Sequence, residues 1–130
     1  MGRKKKSVKL TKKKLKKIAR LDKKKRLKAW ADTVRERDNN SCVVCGVHRG
    51  DLYINKKGKT LKQVIHAHHV FPKEITEFMY DVNNGISVCP KHHKYSTEIS
   101  AHKNSLVFVL WLMKNRRKQY EYLKKRIVLN

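Results

Sequence analysis

His66, His68 and His69 crowd into the stretch HAHHVFP, and His92 and His93 stand side by side just after Cys89 and Pro90. Imidazole is a ligand for divalent cations and, with an unperturbed pKa of about 6.5, a base that works near neutral pH. Thiols are supplied by Cys42, Cys45 and Cys89. Cys42-x2-Cys45 and Cys89-x2-His92 each have the two-residue gap that lets both side chains of a turn reach one ion. Two such turns make up the four ligands of a closed, tetrahedral zinc site. A site of three thiolates and one imidazole has no open position for a substrate, so its role is to hold the fold, worth about 10 kcal/mol in zinc-finger peptides. His48, three residues after Cys45, is a fallback fourth ligand. The plain alternative treats the cysteines as small buried hydrophobes. Three cysteines are an odd number, and the charged N-terminus has no apolar core behind it. Neither feature fits an exported, disulfide-bonded protein.

Elements that position these groups can be read from the flanking sequence. With 130 residues the chain suits one small domain with arms. Residues 1–28 hold sixteen Lys and Arg against a single acid, Asp22, in a chain whose formal net charge is +24. A thread of Leu10, Leu15, Ile18, Leu21, Leu27, Trp30 and Val34 at roughly helical spacing predicts a basic helix, frayed before residue 10 and ending near Asp38, where DNNS supplies turn residues. A solvated lysine tail or a localisation signal is the bland reading of that arm. Lysines this dense release counterions on a phosphate backbone, which assigns DNA contact to Lys12, Lys13, Lys16, Lys17 and Lys24. DLYI and LKQVIHAHHV read as two short strands of a hairpin with NKKGK as its turn, and VNNGISVC reads as a loop. Pro90 suits the first position of a helix beginning PKHHKY. Leu106, Leu110, Met113, Tyr120, Leu123 and Ile127 trace one face of a C-terminal helix, most simply a packing stripe. The longest apolar run, LVFVLWLM at 106–113, is far short of the roughly 20 residues needed to span a bilayer, so a soluble chain with no membrane partner is expected.

The chain resembles the HNH nucleases, the ββα-metal or His-Me finger family, in HHV…NGISVCPKHH preceded by CVVCG. Asn84 follows His69 by fifteen residues and His93 follows Asn84 by nine. The resemblance covers about residues 30 to 102. Its fuller order, from RERDNNSCVVCG through HAHHVFP and NNGISVCPKHH to SAHKNSLVFVLWL, is similar to compact members often encoded by phages. The resemblance implies that His69 is the general base, that His68 and His93 are ligands of a catalytic divalent ion (Mg²⁺, Mn²⁺, Ni²⁺ or Zn²⁺), and that Asn84, not Asn83, braces the loop that orients the base. Adjacent histidines can divide this work, since one lone pair cannot hold a metal and accept a proton together. Successive strand residues point to opposite faces, so serving one site requires a bend at His68 and His69. The pattern breaks four residues after His93, at Thr97, where many members carry another ligand. His102, Glu98 and water are the candidates, and His102 qualifies only if the helix stops near STEIS. His66 reads as a packed or solvated imidazole, and Lys91 and Lys94 either grip DNA or are simply solvated.

The expected fold is therefore α+β, a small ββα-metal core with zinc knuckles, flanked by a basic N-terminal helix and a C-terminal helix. Its expected divisions are an arm at 1–29, the nuclease domain at 30–105 and an amphipathic helix at 106–130. The expected activity is metal-dependent hydrolysis of DNA phosphodiesters, by nicking or double-strand cleavage, with a structural Zn²⁺ as second ion. A zinc-stabilised, non-catalytic DNA-binding module is the alternative. A monomer in the cytoplasm is favoured, that of the host if a phage encodes it, with phage packaging or replication proteins as further partners.

Overall fold

The computed structural model describes residues 9–127. The fraying expected before residue 10 falls mostly on residues 1–8, and the end of the C-terminal arm on 128–130, outside the described residues. Thr11 opens the first helix, its Oγ1 accepting from the Lys14 amide at 3.2 Å. Helix α1, Lys12–Arg37, is built from lysine, arginine, leucine and alanine, good helix formers with no glycine or proline among them. Of its apolar thread only Trp30 and Val34 are buried; Leu15, Ile18 and Leu21 remain about half exposed. The helix stops where Asn39 and Asn40 both take positive φ, 58° and 51°, a conformation asparagine tolerates.

Four short strands follow. β1 (Leu52–Ile54) and β2 (Thr60–Lys62) form the expected antiparallel hairpin. The single strand expected over LKQVIHAHHV is instead two, because the chain leaves the hairpin at Gln63 and re-enters extended structure as β3, His66–His69. Its partner is β4, Gly85–Val88, within the segment expected to be a loop. The turn residues Asn83 and Asn84 masked that strand, although Ile86, Ser87 and Val88 are fully buried. In β3–β4 the pairs His66 with Val88 and His68 with Ile86 share one face, and Ala67 with Ser87 and His69 with Gly85 share the other. α1 lies on the second face so closely that a Cβ at Gly85 would sit 2.3 Å from Val34 Cγ2 and 2.8 Å from Trp30 Cζ2. Glycine is required there.

The other face of β3–β4 meets the core, where Ile86 and Val88 pack with Ile65, Phe108 and Leu112. Residues 105–124 do not form one helix. They split into α2, Ser105–Asn115, and α3, Arg117–Lys124, at Arg116 (φ −128°, ψ 51°). The break carries the Arg116 guanidinium to Asp38 Oδ1 at 3.0 Å. The expected stripe holds only in part: Leu123 is buried and Tyr120 packs against the core, but Leu106 and Leu110 are 70% and 50% exposed, and Phe108 and Leu112, outside the stripe, are buried in their place. Asp38, its side chain 1% exposed, also accepts from Arg37 Nε and Nη2 and from the Ser87 amide at 3.0 Å. Burial would raise this carboxyl, but the hydrogen bonds and charges of Arg37 and Arg116 outweigh it and hold it below 3.8. One carboxylate thus ties α1 to β4 and to the α2–α3 junction. No helix among the described residues is long and apolar enough to cross a membrane.

Candidate active site and metal centres

Cys42 and Cys45 lie on a tight turn closed by Gly46, whose φ is +79° and whose amide donates to the Cys42 carbonyl at 2.8 Å. Cys89 follows β4, and His92 lies on the short π-helical turn Lys91–Tyr95. The four side chains converge, with all ligand atoms within 4.8 Å of one another. Cys45 Sγ is 3.8 Å from Cys89 Sγ, and His92 Nδ1 is 3.3 Å from Cys89 Sγ and 3.7 Å from Cys42 Sγ. Tetrahedral coordination with Zn–S bonds of about 2.3 Å puts sulfurs about 3.8 Å apart, so this donor set fits one tetrahedral cation. A hydrogen bond from Cys89 pulls the Cys42 thiol down to about 4, and the same contact with burial pushes Cys89 up. His48 is exposed and outside the cluster.

A second group lies next to the first. His68, His93 and His102 also place ligand atoms within 4.8 Å of one another, and His102 Nε2 is 3.1 Å from His93 Nε2. The turn carrying His93 stops at Tyr95, which frees its last carbonyls. Backbone amides of residues that fold back then satisfy them: Ala101 donates to His92 O and His102 to His93 O, both at 2.9 Å. His102 therefore arrives through a chain reversal, with no helical periodicity involved. Glu98 is exposed and not part of the group, and the Thr97 carbonyl instead accepts from the Asn104 amide side chain. Burial, aided by the neighbouring His93, His102 and His69, holds His68 at about 3; burial with His102, His66 and Lys94 nearby holds His93 at about 4. Both rings are neutral near pH 7 and keep a lone pair for a cation.

His69 needs no bend in the strand. It ends β3, and although it leaves the sheet on the face opposite His68, both line one open cleft of about 410 Å³ with His93, His102, Lys73 and Glu74. Its Nε2 lies 2.9 Å from the Met79 carbonyl. A carbonyl only accepts, so Nε2 carries the proton and Nδ1 holds the lone pair. Its ring stacks on Trp30, 3.8 Å between centroids and 7° from parallel. Burial lowers the His69 pKa despite the opposing Met79 hydrogen bond. Asn84, fully buried, makes no hydrogen bond to the His69 ring; it accepts from Phe71 N at 2.6 Å and donates to the Phe71 and Phe78 carbonyls at 3.1 Å, closing the loop that ends at Met79.

Residues 42–97 match the family model described as HNH endonuclease. This segment is an HNH domain. No curated protein and no solved structure gives a match to the chain. The family carries nuclease or DNA-binding function, uses divalent metals and acts on nucleic acid.

Three parts of the HNH domain's surroundings are not apparent from its motif. Trp30, the lone aromatic of α1, comes from outside the matched segment, and its Nε1 donates to the Asp81 carbonyl at 2.8 Å, which fixes the ring beneath His69. The Met79 carbonyl is backbone, with no sequence signal. His66, expected to be packed or solvated, places Nδ1 2.8 Å from His93 Nδ1; with His93 as donor, His93 Nε2 is left free to face His102. Of the lysines assigned to DNA, Lys91 and Lys94 flank the clusters, Lys91 lining a cleft with Cys45, Cys89 and His92, and those of α1 lie apart in sequence. Lys91 and Lys94 are exposed on the turn, and Lys12, Lys13, Lys16, Lys17 and Lys24 are exposed along α1.

Proposed function

We propose that the chain is a metal-dependent DNA endonuclease in which Cys42, Cys45, Cys89 and His92 hold a structural zinc ion, and His68, His93 and His102 hold a catalytic divalent cation. His102 takes the third position, in preference to Glu98 or water, because its ring already meets His93. A bound cation supplies charge to offset that building on the scissile phosphate and the departing oxygen. The imidazole set suits Mn²⁺, Ni²⁺ or Zn²⁺ and also admits Mg²⁺.

His69 is the general base. Its Nδ1 takes a proton from the attacking water, and the positive charge that results is met by the Met79 carbonyl at Nε2 and by the face of Trp30. Asn84 acts through the loop, keeping the Met79 carbonyl in place. By resemblance to the family, the products carry 5′-phosphate and 3′-hydroxyl ends. One such site in a monomer cuts one strand at a time. The lysines of α1, with Lys91 and Lys94, grip phosphates without reading bases.

The observation that carries this reading is a neutral imidazole, His69, with one nitrogen committed to a carbonyl, lining the same cleft as three converging imidazoles. A non-catalytic DNA-binding module needs none of that arrangement. Plasmid nicking by a His69→Ala variant separates the two. The expected result is a loss of about 10²–10⁴-fold in rate with DNA binding and zinc content unchanged. Nicking at the unaltered rate, in a preparation cleared of contaminating nucleases, removes His69 from the mechanism.

A further inference from the structure

The β1–β2 hairpin contributes no ligand to either metal cluster and no residue to the core. Alternation sorts its side chains onto two faces. Tyr53 and Leu61, paired across the ribbon, share one face, and Tyr53 lines a cleft with Cys45, Gln63 and Lys91. Leu52 and Ile54 occupy the other, opposite Lys62 and Thr60, and are 69% and 72% exposed. The tip above them is cationic and held in shape: Asn55 Oδ1 accepts from the Lys57 and Lys59 amides at 3.0 and 2.9 Å, and Gly58 takes φ +78°. Between Asp51 and Glu74 the sequence has no acid, while Lys56, Lys57, Lys59 and Lys62 lie on the ribbon.

We propose that this ribbon enters the major groove of duplex DNA, with Lys56, Lys57 and Lys59 on phosphates and Leu52 and Ile54 against base edges. Charge selects a polyanion. Shape selects the duplex: the DNA major groove, about 12 Å wide, admits a two-stranded ribbon whose strands lie about 4.8 Å apart. The deep, narrow major groove of an RNA helix does not. Chemistry selects the contact, since leucine and isoleucine have no hydrogen-bonding groups but pack well on the thymine methyl that projects into this groove. The proposal rests on the reading of the chain as a DNA-binding protein and adds a groove contact that neither metal cluster provides.

Fluorescence anisotropy with a short thymine-containing duplex, without added divalent cation so that no strand is cut, tests it on the full chain. Leu52→Ser with Ile54→Ser should weaken binding about tenfold or more, because two buried apolar contacts are lost, and should leave the salt dependence alone. Lys56→Gln with Lys57→Gln and Lys59→Gln should reduce the salt slope by about two to three, one counterion per phosphate released. Uracil in place of thymine should weaken the unaltered protein more than the Leu52/Ile54 variant. Far-UV circular dichroism and melting midpoints matching the unaltered protein establish that both variants fold. If the folded Leu52/Ile54 variant binds the duplex as tightly as the unaltered protein does, the proposal is overturned, and that is also the result expected if the ribbon docks on another protein. Absence of any duplex binding by the unaltered chain overturns the DNA reading itself, and this proposal with it.

Discussion

The sulfur cluster and the imidazole cluster meet at His92 and His93, neighbours on one short turn, and they differ in donor, burial and access. Cys42, Cys89 and His92 are buried and Cys45 is exposed, and thiolates favour a soft cation. His68 and His93 are only half-buried, His102 is exposed, and all three open onto a cleft shared with His69. The first arrangement resists exchange and the second permits it. One turn of backbone thus separates a site suited to holding loops together from one suited to meeting a phosphodiester. Residue type alone would not separate them, because each takes an imidazole from the same pair.

The largest effect should come from the closed cluster. Cys89→Ser removes a thiolate from a site that in comparable small domains contributes about 10 kcal/mol to folding. Loss of bound metal together with loss of far-UV ellipticity is expected; a folded, metal-free variant would erase the distinction drawn here. His93→Ala, one residue beyond His92, should leave the fold and the sulfur-bound metal in place and reduce cleavage about a thousandfold, the several kcal/mol that a cation contributes. Nicking rate and metal stoichiometry measured side by side with His92→Ala check the contrast between the two neighbours. Asp38→Asn examines stability that needs no metal. Removing one partner of this buried ionic group should cost about 3–5 kcal/mol at neutral pH in denaturant unfolding. The folded carboxyl lies below its unfolded value of 3.8, so its contribution is complete above that value and is lost as the pH falls through the lower folded one. The gap between variant and unaltered protein should therefore close in acid.

How much of this was legible depends on the range over which each signal acts. The two metal-binding turns are local chemistry, a pair of ligands two residues apart, and the four residues expected to meet do meet. The β1–β2 hairpin is local too, fixed by Asn55 and Gly58. His102 required a condition, a helix that stops early, and the chain stops at Tyr95. What could not be read is long-range. Arg116 leaves a good helical pattern for a carboxylate 78 residues away, and splits the helix in doing so. β4 is too short, and too close to turn residues, to announce itself before β3 is known to pair with it. His66 and Trp30 acquire their partners, His93 and His69, only once the sheet has brought them together.

The peptide unit between His92 and His93 is also a constraint on change. A one-residue slip of that turn would present Lys91 to the thiols and His92 to the cleft, spoiling both sites in a single step. An insertion there cannot be absorbed by one site for the benefit of the other. Whatever disturbs the sulfur end of the turn is transmitted mechanically to the ring that faces His68 and His102.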